Sequence, residues 1–264
     1  MNILVTINRN YIEPLLVMLY SLIQNNKTDI VVYVLHNDLN KEDRNYIKEN
    51  VNSKVIFIRV DDDKLKQAPT FKKFPITMYY RLFAPIYLPK SVEKILYLDP
   101  DIIVKGDLSS LYNMDLKENL FAGATHVAWY VKVFNDLRLH ISYKDIYLNS
   151  GVLLINVKEY RKVQNIEEIY EYIRKNKRKL FMPDQDIISK LYKNKIKEID
   201  ASIYNFSLNL LKKYSKEYVK DHTKIIHYCG KEKPWKKDSK HKLKSYYQRY
   251  EKERKEKEVS GLTK

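Results

Sequence analysis

The spacing of apolar positions near the start of the chain predicts strands that alternate with helices. Three apolar runs have the length of buried strands: residues 3–7, 30–35 and 55–58. Between them, Glu13 and Pro14 open a stretch with apolar residues at helical spacing, and Asn40 is placed to cap a helix over 41–50. This alternation is typical of a parallel sheet that is covered by helices.

The same pattern continues through the rest of the chain. Four further runs predict strands: residues 95–98, 121–125, 152–155 and 225–228. Helical spacing is found at residues 77–83, 158–175, 184–192 and about 240–257. Residues 61–75 are polar and interrupted by prolines, which predicts a loop, and residues 126–148 show no clear periodicity. We expect one α/β domain over residues 1–236 and a separate tail over 237–264.

Composition limits the class of protein and its location. The chain has 264 residues, 44% of them hydrophobic, as in ordinary globular proteins. No apolar stretch approaches the roughly 20 residues that span a bilayer, and Met1 leads directly into a strand-like run without a basic leader segment. A single cysteine, Cys229, excludes an intrachain disulfide and fits a reducing compartment. These features predict a cytoplasmic protein.

Charge is concentrated at the end of the chain. The net charge is +16, and residues 231–264 hold 13 Lys and Arg against six Asp and Glu. Lysines at 236, 237, 240, 242 and 244 lie beside Trp235, Tyr246, Tyr247 and Tyr250. This combination indicates contact with an anionic bilayer, on the inner face of the plasma membrane, although a solvated basic helix fits the same residues. No recognised nucleic-acid motif is present, so no nucleic-acid partner is expected.

An apolar run, residues 95–98, leads directly into Asp99, Pro100 and Asp101. Side chains two positions apart on an extended chain point the same way, and Pro100 favours an extended Asp99. Two converging carboxylates repel each other unless a cation lies between them, and hard oxygen ligands suit Mg²⁺ or Mn²⁺. The alternative is a turn that ends the strand, because Asp-x-Asp also occurs at residues 61–63, which we interpret as a solvated loop.

Further polar clusters follow other predicted strands. They comprise residues 6–11, 149–151 and 227–233. In an open α/β sheet, ligands bind beyond the carboxyl ends of the strands, so these clusters are expected to meet Asp99 and Asp101. His227 would then be a third metal ligand, and two carboxylates with one imidazole favour Mn²⁺ over Zn²⁺. Alternatively, His227 is a hydrogen-bonded core residue and Lys233 one more solvated lysine.

Glycine is scarce, with five residues, and no Gly-x-Gly-x-x-Gly or Walker loop is present. A phosphate site would therefore need a metal ion and a lysine. Lys233 could supply that charge, and Gly230 would allow close approach of the backbone. Cys229 is interpreted as a packed residue rather than a nucleophile.

Four segments together resemble family 8 glycosyltransferases of the bacterial lipooligosaccharide galactosyltransferase kind. They are Leu96-Tyr97-Leu98-Asp99-Pro100-Asp101, Tyr147-Leu148-Asn149-Ser150-Gly151-Val152-Leu153-Leu154-Ile155-Asn156, Asp184-Gln185-Asp186, and His227-Tyr228-Cys229-Gly230 with Lys233-Pro234-Trp235. They occur in the family's order, and the resemblance covers about residues 1–236. It implies a glycosyltransferase A-type, Rossmann-like fold with a mixed, mostly parallel sheet flanked by helices.

The resemblance also implies an activity. It implies retaining transfer of glucose or galactose from a UDP-sugar to a glycan, glycolipid or glycoprotein acceptor, with Mn²⁺ as cofactor and Mg²⁺ as a second candidate. The implied metal ligands are Asp99, Asp101 and His227. Gly230 and Lys233 would meet the diphosphate. Thr6, Asn8, Asn10 and Tyr11 would hold uridine, and Arg81, Asn149, Asp184 and Gln185 would line the sugar. Asn8 departs from the family's usual Asp, but an amide can also pair with a uracil edge.

Catalytic roles are expected for two neighbouring residues. By the resemblance, Gln185 lies near the anomeric carbon, and an amide is a poor nucleophile, which favours a front-face mechanism over a covalent intermediate. Asp184 would orient sugar hydroxyls, or it is simply an acidic residue at a helix N-terminus. The alternatives are a metal-dependent nucleotide-sugar hydrolase, a catalytically weak sugar-nucleotide-binding protein and, more remotely, a basic nucleic-acid-binding protein.

Overall fold

A computed structural model of the protein describes residues 1–61, 63, 65, 68, 75–125, 129–142 and 144–259. The strands are β1 (Asn2–Thr6), β2 (Val31–His36), β3 (Lys54–Arg59), β4 (Lys94–Leu98), β5 (Ile102–Val104), β6 (Phe121–Thr125), β7 (Leu148–Asn156), β8 (Ile196–Glu198) and β9 (Ile225–His227). The longer helices are α1 (Ile12–Asn25), α2 (Lys41–Glu49), α5 (Trp129–Leu139), α6 (Val157–Val163), α7 (Ile166–Lys175), α8 (Pro183–Leu191), α10 (Lys216–Asp221) and α11 (Lys244–Val259). The short helices are α3 (Ala84–Tyr87), α4 (Ser109–Tyr112) and α9 (Ala201–Tyr204), with 3-10 turns at Arg9–Tyr11, Ile76–Phe83, Lys193–Lys195 and Leu208–Lys212.

Seven strands form the central sheet in the order β3-β2-β1-β4-β7-β6-β8. Neighbouring strands are parallel except at β7, which runs antiparallel to β4 and β6. The reversal places the beginning of β7 at the edge where β4 ends, and the N–H of Asp99 donates to the carbonyl of Gly151 at 2.8 Å. The α/β class and the mixed, mostly parallel sheet expected from the sequence are confirmed.

A two-stranded antiparallel ribbon of β5 and β9 lies outside the main sheet. Ile102 pairs with His227, and the N–H of Tyr228 donates to the carbonyl of Asp101 at 2.9 Å. The sequence pattern did not predict β5 as a strand, because only three residues form it. This ribbon fixes His227 beside the segment that follows β4.

Both faces of the central sheet are buried. Leu4, Tyr33 and Tyr97 belong to the core on one face, and Ile3, Val32 and Leu96 belong to the core on the other. Successive residues of a strand point to opposite faces, so a strand covered on both sides must be apolar at every position. This explains the continuous apolar runs in the sequence.

One helix prediction needs correction, and one helix was not predicted. The helical spacing over residues 158–175 belongs to two helices, α6 and α7, because the chain is extended at Gln164 and Asn165 caps α7 by accepting from the N–H of Glu168. Residues 126–148, which showed no clear periodicity, contain α5. The loop predicted over 61–75 lies mostly outside the described residues.

The C-terminal helix α11 packs against α1. Tyr247 and Tyr250 are buried, Asn25 donates to the hydroxyl of Tyr250 at 2.8 Å, and Arg254 pairs with Glu13 at 2.7 Å. Two aromatic residues that were expected beside a membrane therefore face the protein interior. None of the described helices combines the length and apolar character that a membrane span requires.

Candidate active site

Asp99, Asp101 and His227 come together at the carboxyl end of β4. Their ligand atoms all lie within 4.8 Å of one another. Nε2 of His227 is 3.2 Å from Oδ1 of Asp101 and 3.6 Å from Oδ2 of Asp99. Two carboxylates and one imidazole, all largely removed from solvent, form a donor set that fits a divalent ion such as Mn²⁺.

Asp101 is surrounded by positive charge. Lys233 forms an ion pair with its Oδ2, and His227 lies beside its Oδ1. Burial alone would raise the pKa of Asp101, but His227 and Lys233 outweigh it and hold that pKa well below its usual value. Burial would likewise lower the pKa of Lys233, and Asp101 raises it above its ordinary value. Asp101 is thus kept ionised, as a metal ligand must be.

Arg81 holds Asp99 in a defined orientation. Its guanidinium donates to Oδ1 of Asp99 at 3.0 Å, and the hydroxyl of Tyr97 donates to the same oxygen. Oδ2 is therefore the oxygen turned towards His227. Arg81 also donates to the carbonyl of Ser150 at 2.7 Å, and its guanidinium lies 4.2 Å from the ring centre of Tyr97. Arg81, expected to line the sugar, is 6% exposed and connects the groups around the site.

The first turn of α8 carries Asp184 and Gln185. Oδ2 of Asp184 lies 3.1 Å from Nη1 of Arg81 and accepts from the hydroxyl of Ser150 at 2.6 Å. Burial raises the pKa of Asp184 by more than Arg81 lowers it. Oε1 of Gln185 accepts from Nδ2 of Asn149 at 3.0 Å and from the N–H of Ser150 at 3.3 Å. The structure thus brings Asn149, Asp184 and Gln185 into one network.

Gly151 has no room for a side chain. A Cβ there would lie 2.6 Å from Oδ2 of Asp99 and overlap Cε1 of His227. At Gly230 the reason for glycine is different, because φ is +90° and a Cβ would have no neighbour within 4 Å. The position of the His227 ring therefore depends on glycine at 151.

The family model described as "Glycosyl transferase family 8" matches residues 2–239 of this chain. The chain belongs to glycosyltransferase family 8. The family expected from the sequence is confirmed, and the central set of two aspartates and a histidine lies within the matched region.

Individual relatives of this family 8 chain are distant. Lipopolysaccharide 1,2-glucosyltransferase of Escherichia coli is 27% identical over 241 residues, which are 87% of this chain and 71% of that protein. General stress protein A of Bacillus subtilis (strain 168) is 22% identical over 267 residues, which are 95% of this chain and 92% of that protein. The crystal structure of the galactosyltransferase LgtC with donor and acceptor sugar analogs has a TM-score of 0.85 and 24% identity, and covers 96% of both chains. The structural likeness shows that the fold is shared.

Two of the residues predicted to hold uridine, Thr6 and Tyr11, lie near the candidate metal site of this family 8 chain. The hydroxyl of Thr6 is 3.1 Å from that of Tyr97, and the side chain of Asn8 accepts from the N–H of Asn10 at 3.1 Å. The ring of Tyr11 meets Trp235 edge-on, with ring centres 6.0 Å apart. Burial raises the pKa of Tyr11, while the charge of Lys233 lowers it. The segment after β1 therefore lies next to the segment that carries Lys233.

Sequence reasoning missed Asn205 in this family 8 site and assigned no role to Ser150. Asn205 is 0% exposed, and its Oδ1 lies 2.9 Å from Nδ1 of His227. Ser150 links Arg81, Asp184 and Gln185, and was noted only as part of a motif. No periodic pattern marks Asn205, because it follows a helix of four residues. Its only signal in the sequence is that it is a polar residue directly before the apolar Phe206.

Proposed function

We propose that the protein is a Mn²⁺-dependent retaining glycosyltransferase that transfers glucose or galactose from a UDP-sugar to a glycan, glycolipid or glycoprotein acceptor. Mg²⁺ is the second candidate ion. The observation that carries the proposal is the convergence of Asp99, Asp101 and His227 next to Lys233 and within the network that holds Gln185. A transferase that breaks a sugar–phosphate bond needs positive charge at the leaving group, and this arrangement supplies it.

Asp99, Asp101 and His227 would hold the ion. A bound divalent ion would act as a Lewis acid that stabilises the charge of the departing diphosphate. Lys233 would add a fixed positive charge where the negative charge develops, and Gly230 lies in the same loop. Arg81 keeps Asp99 and Asp184 in place through its paired contacts. These residues would bind and orient the donor diphosphate before the bond breaks.

Gln185 and Asp184 are the residues assigned to the sugar. The Gln185 amide is held by Asn149 and by the N–H of Ser150, so its position is fixed before substrate binds. An amide is a poor nucleophile, which favours a front-face reaction in which the leaving phosphate oxygen accepts the proton of the acceptor hydroxyl. Gln185 would then stabilise the oxocarbenium-like sugar, and Asp184 would orient its hydroxyls.

A lipid-borne saccharide is the acceptor class that the relatives favour. The E. coli relative is named as a lipopolysaccharide glucosyltransferase, and lipopolysaccharide or glycoprotein glycan synthesis would suit a cytoplasmic enzyme. Contact with an anionic membrane through the exposed lysines of residues 236–244 remains part of the proposal. Thr6, Asn8, Asn10 and Tyr11 would hold the uridine of the donor.

Donor screening tests the proposed reaction. The purified chain would be incubated with UDP-glucose or UDP-galactose and Mn²⁺, with and without a saccharide acceptor, and UDP release and glycosylated product would be measured. We expect product only with acceptor and divalent ion, with the anomeric configuration of the donor retained. Asp101→Asn should abolish turnover. Equal sugar release with and without acceptor would instead identify a hydrolase, and UDP-sugar binding without turnover would identify a binding protein.

A further inference from the structure

Three side-chain amides connect the candidate metal ligand His227 to Gln185. Oδ1 of Asn205 lies 2.9 Å from Nδ1 of His227, and Nδ2 of Asn205 donates to Oδ1 of Asn149 at 3.0 Å. Nδ2 of Asn149 in turn donates to Oε1 of Gln185 at 3.0 Å. Asn205 is 0% exposed, Gln185 is 6% exposed and His227 is 3% exposed, so solvent does not compete for these contacts.

Two backbone N–H groups determine how the last two amides are oriented. The N–H of Gly151 donates to Oδ1 of Asn149 at 3.1 Å, and the N–H of Ser150 donates to Oε1 of Gln185 at 3.3 Å. A backbone N–H can only donate, so the atom facing each of them is an oxygen. Neither amide can be turned round without placing two donors against each other.

The orientation of Asn149 determines that of Asn205. Oδ1 of Asn149 only accepts, so the atom of Asn205 that faces it is the NH₂ group. The carbonyl oxygen of Asn205 then faces Nδ1 of His227, which must carry a hydrogen. Nε2 is the remaining ring nitrogen and the one that faces Asp99 and Asp101. Because Nδ1 keeps its hydrogen, Nε2 is the nitrogen that gives up its proton when an ion binds and then presents its lone pair to that ion.

The backbone also holds Asn205 in place. The N–H of Phe206 donates to the carbonyl of Ile225 at 2.9 Å, and the N–H of His227 donates to the carbonyl of Phe206 at 2.9 Å. Asn205 is thus fixed next to the β9 strand that carries His227. Its side chain has the geometry that proteins use to orient a metal-binding histidine, although a carboxylate or a backbone carbonyl more often fills that role.

We infer that Asn205 is a positioning residue that keeps a hydrogen on Nδ1 of His227, with Nε2 available to a divalent ion, and that is coupled through Asn149 to Gln185. The inference rests on the proposed function, because it assigns His227 as a ligand. It adds that one series of hydrogen bonds holds both the ligand His227 and the side-chain amide of Gln185 in position. A change at Asn205 therefore affects both metal affinity and turnover, although Asn205 contacts neither ion nor sugar.

Mn²⁺ binding to two variants of Asn205 distinguishes its contact with His227 from its contact with Asn149. Binding would be followed by the electron paramagnetic resonance signal of free Mn²⁺, with and without UDP. Asn205→Ala removes the acceptor for Nδ1–H and should weaken Mn²⁺ binding by about 10–100-fold. Asn205→Asp keeps an oxygen acceptor but loses the NH₂ donor, so Mn²⁺ binding should stay nearer to that of the unmodified protein while kcat falls.

Asn26→Ala is the matched control. Asn26 is also buried and accepts from the N–H of Leu108 at 2.8 Å, away from the candidate site. It should lose thermal stability without losing Mn²⁺ affinity. If folded Asn205→Ala binds Mn²⁺ as tightly as the unmodified protein, the inference is overturned.

The tautomer can be measured without any change at Asn205. In protein labelled with ¹⁵N-histidine and loaded with Mg²⁺ and UDP, with the His227 signals assigned by comparison with His227→Gln, Nδ1 should carry a hydrogen and Nε2 should carry none. A ring with its hydrogen on Nε2 and none on Nδ1 would overturn the inference even if Asn205 variants fail to fold. If the unmodified protein binds neither Mn²⁺ nor UDP, the proposed function fails. If it binds both and transfers sugar, a wrong tautomer overturns only the inference.

A second, independent observation concerns an apolar surface on α5. We define the α5 face as six exposed apolar residues on this helix and on the loop before α8: Tyr130, Val133, Phe134, Leu137, Phe181 and Met182. Leu137 is 76% exposed, and the rings of Phe134 and Phe181 are stacked with centres 6.0 Å apart. An exposed contiguous apolar surface of this kind marks an interaction site.

Basic residues lie directly beside the α5 face. Lys177, Arg178 and Lys179 are exposed, and residues 175–182 contain no acidic residue. Apolar and aromatic side chains next to a run of cations are complementary to a bilayer surface with anionic headgroups. Arg138 of α5 forms a two-point ion pair with Asp186 of α8 at 2.6 and 2.7 Å, so the face is attached to the helix that carries Gln185.

We propose that the α5 face rests on a bilayer with anionic headgroups. This contact would hold α8, the helix that carries Gln185, near the membrane surface, where a lipid-borne acceptor is presented; that last step rests on the proposed function. The tail aromatic residues Tyr247 and Tyr250 are buried and do not compete for this role.

Vesicle sedimentation tests the surface. The full chain would be mixed with vesicles of phosphatidylcholine alone or with added phosphatidylglycerol. We expect binding to the anionic vesicles, loss of most of the bound fraction in Leu137→Asp, and no loss in Val163→Asp, an exposed apolar residue outside the face. Unchanged binding by Leu137→Asp would overturn the proposal. So would a dimer that Leu137→Asp converts to a monomer, which would identify a second copy of the chain as the occupant.

Discussion

Lys233 forms an ion pair with Asp101, although 132 residues separate them in the sequence. The same carboxylate lies beside His227, so one residue of the candidate metal site also holds the lysine assigned to the diphosphate. An ion that took Oδ2 of Asp101 would displace the ammonium group, which would then be available to phosphate. The divalent ion, the ammonium group of Lys233 and the diphosphate would then form one linked binding system.

Lys233→Ala should have opposite effects on Mn²⁺ affinity and on turnover. Removing the ammonium removes a competitor for Asp101, so Mn²⁺ alone should bind more tightly. The charge that would stabilise the leaving diphosphate is lost as well, and kcat should fall by about 10²-fold. Titration calorimetry and steady-state kinetics would measure the two effects. Lys237 is an exposed lysine of the same segment, and Lys237→Ala should change neither Mn²⁺ affinity nor kcat. If Lys233→Ala lowered Mn²⁺ affinity as well as kcat, the role assigned to Lys233 would be contradicted.

Gly151→Ala should damage the candidate metal site directly. Its Cβ would overlap Cε1 of His227 and lie 2.6 Å from Oδ2 of Asp99, so the ring must move away from the carboxylates. We expect Mn²⁺ affinity and turnover to fall together, as measured by metal titration and donor turnover. Gly106→Ala is the control, because the nearest atom to its Cβ would be Cγ of the flexible Lys224 side chain, at 3.1 Å. Normal Mn²⁺ binding by Gly151→Ala would show that His227 is not a ligand.

Gln185→Ala should lower kcat far more than it changes KM for the donor. The amide is placed to stabilise charge on the sugar in the transition state, and losing one such group costs about 10²-fold or more in rate. Gln248→Ala, an exposed glutamine of α11, should leave the kinetics unchanged. Full transfer activity in Gln185→Ala would rule out the assigned role.

Tyr247→Ala tests whether the tail is part of the folded domain. Tyr247 is 1% exposed and packs with Tyr228 and Trp235, so its truncation should reduce the free energy of unfolding by about 3 kcal/mol or more. Urea denaturation would measure the change, with exposed Lys242→Ala expected within about 0.5 kcal/mol of the unmodified chain. An unchanged unfolding transition would support the boundary predicted at residue 236.

Local chemistry made much of this architecture predictable. Asn40 was expected to cap a helix, and it accepts from the N–H of Asp43 in a capping box with α2. The apolar run before Asp99 was expected to be a core strand, and all of residues 95–98 are buried. These features depend on neighbours in the sequence, so a pattern read along the chain contains them.

The parts that escaped prediction depend on contacts between distant segments. The pairing of Ile102 with His227 joins β9, which was predicted, to β5, which at three residues is too short for a periodic signal. The hydrogen bond between Asn205 and His227 needs both the turn after α9 and the position of β9. Arg81 was predicted at the site, but its contacts with both Asp99 and Asp184 require α8 to lie against the end of β4.

The ribbon of β5 and β9 also has a consequence for biosynthesis. Asp99 and Asp101 leave the ribosome long before His227, and the Ile102–His227 pairing can form only after β9 has been made. A nascent or truncated chain would present two carboxylates without the imidazole, and so would hold a divalent ion weakly. Under the proposed function, only chains whose synthesis has passed β9 would bind the ion and the donor.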